Sequence, residues 1–493
     1  MSMETMPIPP PNMTVERQAF KGASWLAIFR LISQIFSWSL TIIVARLLSP
    51  EDFGLKEMAT IAVGYALLFN ELGIGAAIIQ KKKLNDQELS SVFWASLTVS
   101  TFLGLVCFGL AYPLSWFFHE PRVVPLSMAV ALLFPIGGVQ VVPLNLLKKE
   151  LDFKKVGFVE MIGSFVGATS TLILAYCGKG AWALVGGNIL LSICTMSLYF
   201  ILCKWKPSFR FRFKEAKSYL HFGIIMAIGE SLFYAYETCD RFLAGRAWSP
   251  KILGYYTFAL DLATLPLFKI ISLINQVSFP AFSKLQNEPE RTRVFYLNVT
   301  KINTLIVIPL YVGGFLAADE LVRVILDEKW FPIIFIFKWL CLAQIITVLN
   351  AINNFVHAAQ GRPLWRLYFH AALAILMSIS FFFAVKEGLH AILIPWFTTY
   401  IVLCVIWILI TIKKLGIGLF QYALNLSVPF FACLCMVTIV VTTEFLLLKI
   451  TAIPLILLIA KCVSGGLSYA AMVVLIDRNI ILKTRELFSK SVP

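Results

Sequence analysis

The sequence predicts an all-α, polytopic membrane protein of about fourteen transmembrane helices, and three observations carry that expectation. Of its 493 residues, 59% are hydrophobic and only 14% charged, with a mean hydropathy of +0.83, whereas soluble domains carry about a quarter charged residues. The apolar residues fall into runs of roughly twenty, long enough to cross a bilayer as helices. The loops between them alternate between strongly basic and weakly charged, as the positive-inside rule requires.

In chain order, spans are expected near 24–48, 55–79, 91–118, 123–146, 157–177 and 182–202. A basic stretch, KWKPSFRFRFKEAK, separates these from a second set near 219–247, 253–278, 296–318, 332–358, 367–385 and 390–412. Two more follow near 422–447 and 452–476, and the 331–358 region can be read as one span or as a helix plus a bent segment. The organisation is then a polar N-terminal segment 1–23, a six-helix bundle 24–203 and a basic linker 204–218. A second six-helix bundle 219–414, two added helices within 415–477 and a tail 478–493 complete it.

One face collects Lys81, Lys82, Lys83, Lys148, Lys149, Lys154, Lys155, the basic linker, Lys284, Arg291, Arg293, Arg362, Arg366, Lys413, Lys414 and the basic tail. The other face carries singles or pairs such as Arg122, Lys179, Arg246 with Lys251, and Lys386. Both termini are therefore expected in the cytoplasm. The polar, Pro-rich start and the long first apolar run do not form a cleavable signal, so the first helix is read as its own insertion signal.

The two six-helix sets resemble one another. Arg46, Ser49, Pro50 and Gly54 recur as Arg246, Ser249, Pro250 and Gly254, an offset of 200 residues. Both copies join the first two helices of a set, which predicts two bundles of the same topology around a central cavity, related by an axis along the membrane normal.

Charges inside hydrocarbon are costly, so they usually face a bundle interior or a watery cavity. The first span carries Arg30, Gln34, Ser37 and Thr41 on one helical face, and the seventh carries Glu230, Tyr234, Glu237 and Arg241 at the same spacing and the same offset. The second span adds Glu57 and Glu71 with Asn70 alongside; the eighth adds Asp261, Lys269, Ser272 and Gln276. A rise of ~1.5 Å per residue puts Arg30, Glu71, Glu230 and Lys269 at similar depths. They read as a polar cavity between the bundles, against the simpler readings of salt bridges locking the halves or of Arg30 snorkelling to an interface. Arg30, Lys269, Arg241 and Arg46, with Gln34 and Tyr234, are the candidate substrate contacts, and Glu230, Glu237, Glu71 and Asp240 the candidate ion-coupling carboxylates. Lys338 and Lys461 are weaker candidates, either interior partners or snorkelling residues, and Trp38, Tyr65 and Tyr234 could stack on sugar rings but read more simply as packing.

The remaining motifs exclude other chemistries. No GxxxxGK[ST] phosphate loop is present, so transport would draw on an ion gradient or run downhill. The five His show no metal spacing, the ten Cys no CxxC pair, and the scattered net charge of +15 does not form a nucleic-acid patch. No cofactor, metal or nucleic-acid partner is expected.

ARLLSPEDFGL (45–55), FNELGIGAAIIQKK (69–82), DRFLAGRAWSPKILGYY (240–256) and FPAFSKLQ (279–286) together resemble the polysaccharide-repeat-unit exporters of the multidrug, oligosaccharidyl-lipid and polysaccharide exporter superfamily. The likeness is greatest to the lipopolysaccharide or colanic-acid branch and runs over nearly the whole chain. It implies two six-helix bundles facing across a V-shaped cavity in a bacterial inner membrane. It further implies flipping of a polyprenyl-pyrophosphate-linked oligosaccharide by alternating access, coupled to a proton or sodium gradient, beside the polymerase and glycosyltransferases of the same pathway. The resemblance supplies no residue-by-residue ligand set, so the candidate sites rest on helix phase and charge. An ion-coupled drug exporter of the same fold would want a more acidic cavity. A membrane-embedded saccharide polymerase or ligase would want a larger external loop than 319–331, and a scaffold without transport would need no charges buried at matching depths.

Overall fold

The computed structural model describes residues 15–71, 75, 78, 79, 81, 85–209, 211, 212, 231–360 and 363–477, without the side chains of 15–21, 23, 62, 65–71, 267–277, 279, 280, 355, 358, 359 and 363. Among the described residues every regular element is helical. Eleven helices among the described residues are long and apolar enough to cross a membrane: Ser24–Leu47, Asp86–Phe118, Val123–Lys149, Phe153–Tyr176, Ala181–Leu202, Pro289–Leu316, Ile333–Asn354, Leu364–Glu387, Leu393–Lys414, Ser427–Leu447 and Pro454–Ile476. They coincide with eleven of the fourteen expected spans. The other three expected spans fall on helices Pro50–Glu71, 231–247 and Pro250–Lys284, parts of which lie outside the described side chains or residues.

Interruptions follow local chemistry. The fourth span divides at Leu132 into Val123–Ala131 and Leu133–Lys149. The tenth is preceded by a short turn, Glu328–Trp330, and then runs as Ile333–Ala359. Pro395, which cannot donate a backbone hydrogen bond, precedes a π-helical turn at Trp396–Tyr400 in the Leu393–Lys414 span.

The chain forms two compact units, Met1–Tyr234 and Ala235–Pro493. In each, large apolar side chains point outward: Trp116 and Tyr176 are 82% exposed, Phe445 62% and Leu467 69%. Such faces suit lipid rather than water. Interiors use small residues for close approach. In the first unit, Gly163 and Gly167 of Phe153–Tyr176 meet Thr195 and Leu191 of Ala181–Leu202, and a side chain at Gly187 would collide with Thr171. Cys107, Cys341, Cys404 and Cys433 are buried packing residues. The second unit is centred on Phe282, Tyr296, Ile352, Val356, Ile408 and Ile412.

The repeated Ser-Pro sites have the same backbone. Leu48 N–H donates to Val44 O and Trp248 N–H to Ala244 O, both at 2.8 Å, and a new helix begins at Pro50 or Pro250. Their side chains differ. Ser49 caps its helix reciprocally: Asp52 Oδ2 accepts from Ser49 N (2.9 Å) and Oγ (2.7 Å), and Asp52 N–H donates to Ser49 Oγ (3.3 Å). Ser249 has no such partner, because Ile252 stands where the first copy has Asp52.

Candidate functional site

The polar face expected on the first span meets a matching face on Phe153–Tyr176, where Glu160, Ser164, Gly167 and Thr171 repeat with the same spacing as Arg30, Gln34, Ser37 and Thr41. The lower rung is a two-pronged ion pair: Arg30 Nε donates to Glu160 Oε2 at 2.8 Å and its Nη2 to Oε1 at 3.2 Å. Both groups are half-open, with side chains 48% and 31% exposed. Phe36 and Phe165, ring centroids 4.3 Å apart, pack the two helices together beside this seam.

Above the ion pair lies a cavity of about 250 Å³ lined by Ser37, Thr41, Lys56, Ser164, Thr171 and Asn188, with Leu40, Leu184 and Leu191. Thr41, Ser164 and Thr171 donate their hydroxyl protons to carbonyls one turn back, those of Ser37, Glu160 and Gly167. Their oxygens keep lone pairs for a ligand, while Asn188 supplies both an amide donor and an acceptor. Lys56 adds a cation, held 3.2 Å from Glu57. A small hydroxylated group would find donors, acceptors and apolar walls here.

In the second unit the structure gathers three predicted residues within one turn. Asp240 is buried; its Oδ2 accepts from Tyr256 Oη at 2.5 Å and its Oδ1 from the Arg241 backbone N–H at 2.7 Å. The Arg241 guanidinium donates to Glu237 O at 3.0 Å and lies 3.8 Å from Asp240. Trp396 Nε1 donates to Tyr256 Oη at 3.2 Å, so the π-helical turn places an indole over the Asp240 network.

The other expected residues are placed as follows. Gln34 is half-buried on the Arg30 face, Arg46 is exposed at the end of its helix, and Tyr234 Oη donates to Ile61 O at 3.2 Å. Glu230 lies outside the described residues, as do the side chains of Glu71, Asn70, Tyr65, Lys269, Ser272 and Gln276. Lys338 sits over the Phe315 ring at 4.7 Å. Lys461 is an interior partner: its Nζ lies 2.8 Å from Glu320 and 3.0 Å from Glu444, and it is almost fully buried. Sequence reasoning missed Glu160, Tyr256, Trp396 and Glu320. The available signal for Glu160 was that it is the lone acid of the 157–177 span.

Among the described residues both units are helical, with polar seams and lipid-facing surfaces, and solved structures share this fold. A structure of the lipid II flippase MurJ in an inward closed conformation superposes with a TM-score of 0.73 over 92% of this chain and 100% of that one, at 14% identity. Residues 43–335, more than half of the chain, match the family described as polysaccharide biosynthesis protein, and the chain belongs to that family. It is 24% identical over 487 residues to the lipopolysaccharide biosynthesis protein WzxC of Escherichia coli K12, covering 97% of this chain and 98% of that one. It is 24% identical over 425 residues to the teichuronic acid biosynthesis protein TuaB of Bacillus subtilis 168, covering 85% and 87%. The resemblance carried by residues 45–55, 69–82, 240–256 and 279–286 is thereby borne out.

Proposed function

We propose that this protein is a flippase that carries a polyprenyl-pyrophosphate-linked oligosaccharide from the cytoplasmic to the periplasmic leaflet by alternating access, for exopolysaccharide or lipopolysaccharide synthesis. The observation that carries the reading is the Arg30–Glu160 pair beneath a hydroxyl-lined cavity, set on a membrane helix of a polysaccharide biosynthesis family member. A diphosphate competes for a guanidinium through the same two-pronged hydrogen bonding that a carboxylate uses. Arg30 would exchange Glu160 for phosphate, assisted by Lys269, with Arg241 and Arg46 nearer the exit and Gln34 and Tyr234 as polar contacts. Sugar hydroxyls suit the hydroxyl- and amide-lined cavity above, and the polyprenyl tail stays in lipid.

In this reading the bundles are 24–203 and 219–414, joined by the basic linker 204–218 and followed by two helices within 415–477. The membrane is the bacterial inner membrane, with the 1–23 and 478–493 segments in the cytoplasm. Glu230, Glu237, Glu71 and Asp240 are the coupling carboxylates for protons or sodium. The protein acts as a carrier rather than an enzyme, alongside the polymerase and glycosyltransferases of the same pathway. Glu230→Gln is expected to abolish gradient-driven uptake in inverted vesicles while sparing downhill exchange; unchanged gradient dependence would refute the coupling role.

A further inference from the structure

The interior of the second unit contains buried amides that are only half satisfied. Asn303 Nδ2 donates to Val348 O at 3.4 Å, Asn350 Nδ2 to Cys404 Sγ at 3.3 Å, and Asn353 Oδ1 accepts from Tyr296 Oη at 2.7 Å. The other half of each amide, Asn303 Oδ1, Asn350 Oδ1 and Asn353 Nδ2, meets no protein partner, nor do Gln344 Nε2 and Trp407 Nε1. All five residues are at most 4% exposed. Turning Asn350 or Asn353 over would only exchange which half is satisfied, and turning Asn303 over would set its Oδ1 against the Val348 carbonyl and satisfy neither.

These groups lie in one register. Thr347 pairs with Tyr400 at 3.0 Å, Asn350 with Cys404, and His357 with Thr411 at 3.0 Å, so Ile333–Ala359 and Leu393–Lys414 run side by side in parallel. Pro289–Leu316 runs antiparallel to Ile333–Ala359 through the pairs Asn303 with Val348 and Tyr296 with Asn353. The stripe from Thr347 to His357 spans ~15 Å along the helix axis. It ends at His357, whose ring stacks on Trp365, and Lys414 lies over that indole.

Buried polar groups without protein partners are the usual sites of structural water. The chemistry favours water over a metal ion. Acceptors (Asn303 and Asn350 Oδ1) mix with donors (Asn353 Nδ2, Gln344 Nε2 and Trp407 Nε1) that would repel a cation, and the stripe contains no carboxylate. A water molecule both donates and accepts.

We infer that a file of bound waters fills the seam between Pro289–Leu316, Ile333–Ala359 and Leu393–Lys414, and that it conducts protons between the level of Tyr400 and the basic end of the bundle. The conducting role rests on the ion-coupling reading above, with the proton as the coupling ion. Each water passes one proton forward and accepts one from behind, so the amides orient the file and end unchanged. The titratable groups along it are Tyr296, Tyr400, Cys404 and His357, with Tyr236 stacked on Tyr400 and Tyr422 stacked on Tyr296.

The test uses the full-length protein in liposomes. Radiolytic hydroxyl-radical labelling should modify Tyr400 and Trp407 at least tenfold faster than Phe381, which is equally buried but apolar-packed; equal rates would overturn the water file. Pyranine-loaded vesicles given a pH jump should show proton entry above protein-free vesicles, reduced about tenfold by Asn350→Leu with Asn353→Leu and restored by Ser at both positions. Unchanged flux in the Leu variant would overturn the route. If the Leu variant does not insert, labelling of the wild type and the Ser variant still decides. If gradient-driven uptake persists equally in the Leu variant, the route fails while ion coupling stands; if wild-type uptake ignores both proton and sodium gradients, the coupling reading fails and takes the route with it.

Discussion

The two units handle membrane-embedded charge in opposite ways. In the first, Arg30 and Glu160 form a bidentate pair whose side chains are 48% and 31% exposed, beneath an open cavity. In the second, Lys461 and Glu320 are 4% and 9% exposed, and Glu444 joins them at 3.0 Å. Lys461 also donates to Leu316 O at 3.0 Å, which ties Pro454–Ile476 to Pro289–Leu316. A second pair, Lys301 with Asp477 at 2.7 Å, holds the other end of that helix. Between them, Cys433, Met436 and Val440 pack against Ile308, Val312 and Tyr469. The contrast separates charge kept for exchange from charge kept for anchorage: an open pair can trade its partner for a ligand, whereas a closed one fixes two added helices to the bundle.

The comparison breaks most visibly at Arg30. Arg30→Ala should eliminate surface polysaccharide while leaving membrane abundance unchanged, because a half-exposed pair contributes at most about 1 kcal/mol to stability. Arg30→Lys should recover only part of the export, since an ammonium cannot make the two-pronged contact. Lost abundance in Arg30→Ala would class the pair with the anchors.

At the closed cluster the expected loss is of fold. Lys461→Met should destabilise the protein by about 3–5 kcal/mol in detergent unfolding, by leaving the buried Glu320 carboxylate without its cation and beside the partly exposed Glu444. Replacing Lys461 by Met together with Glu320 and Glu444 by Gln should recover most of that loss. A smaller effect, about 1–2 kcal/mol, is expected for Tyr256→Phe, which removes the hydroxyl bonded to Asp240. Unaltered unfolding would mean that Asp240 finds another donor.

The smallest effect belongs to an exposed loop. Arg122 donates to Glu120 at 2.8 Å and to Glu51 at 2.6 Å, and its hydrogen bonds hold the Glu120 carboxyl below the usual carboxylate range. Because the folded value is lowered, its contribution is present above the unfolded carboxylate pKa and is lost as pH falls through the lowered one. Glu120→Gln should therefore flatten unfolding profiles only on the acid side, by less than about 1 kcal/mol.

Much of this architecture is legible along the chain because the bilayer imposes it locally. Eleven span positions follow from apolar run length alone, and the Ser49-Pro50 and Ser249-Pro250 turns, 200 residues apart, share one backbone geometry. The first span's polar face was visible from the spacing of Arg30, Gln34, Ser37 and Thr41. Its partner was not. Glu160 lies 130 residues away from Arg30, and helix phase says which way a residue points but not which helix it meets. Asp240 was recognisable as a buried acid, yet Tyr256 and Trp396 read as ordinary membrane aromatics until packing brought their polar tips to it. Glu320 looked like a loop acid, since it sits on the short amphipathic helix Ala318–Ile325 that no apolar run announces.

Locating the lipid-linked saccharide in cells that lack this protein decides whether it is the flippase. The expected result is accumulation of a polyprenyl-diphosphate oligosaccharide accessible to modifying enzymes only from the cytoplasmic face of sealed vesicles, reversed by the wild-type gene and not by Arg30→Ala. Normal access from the periplasmic face in the deletion strain, with polymer still made, would contradict it.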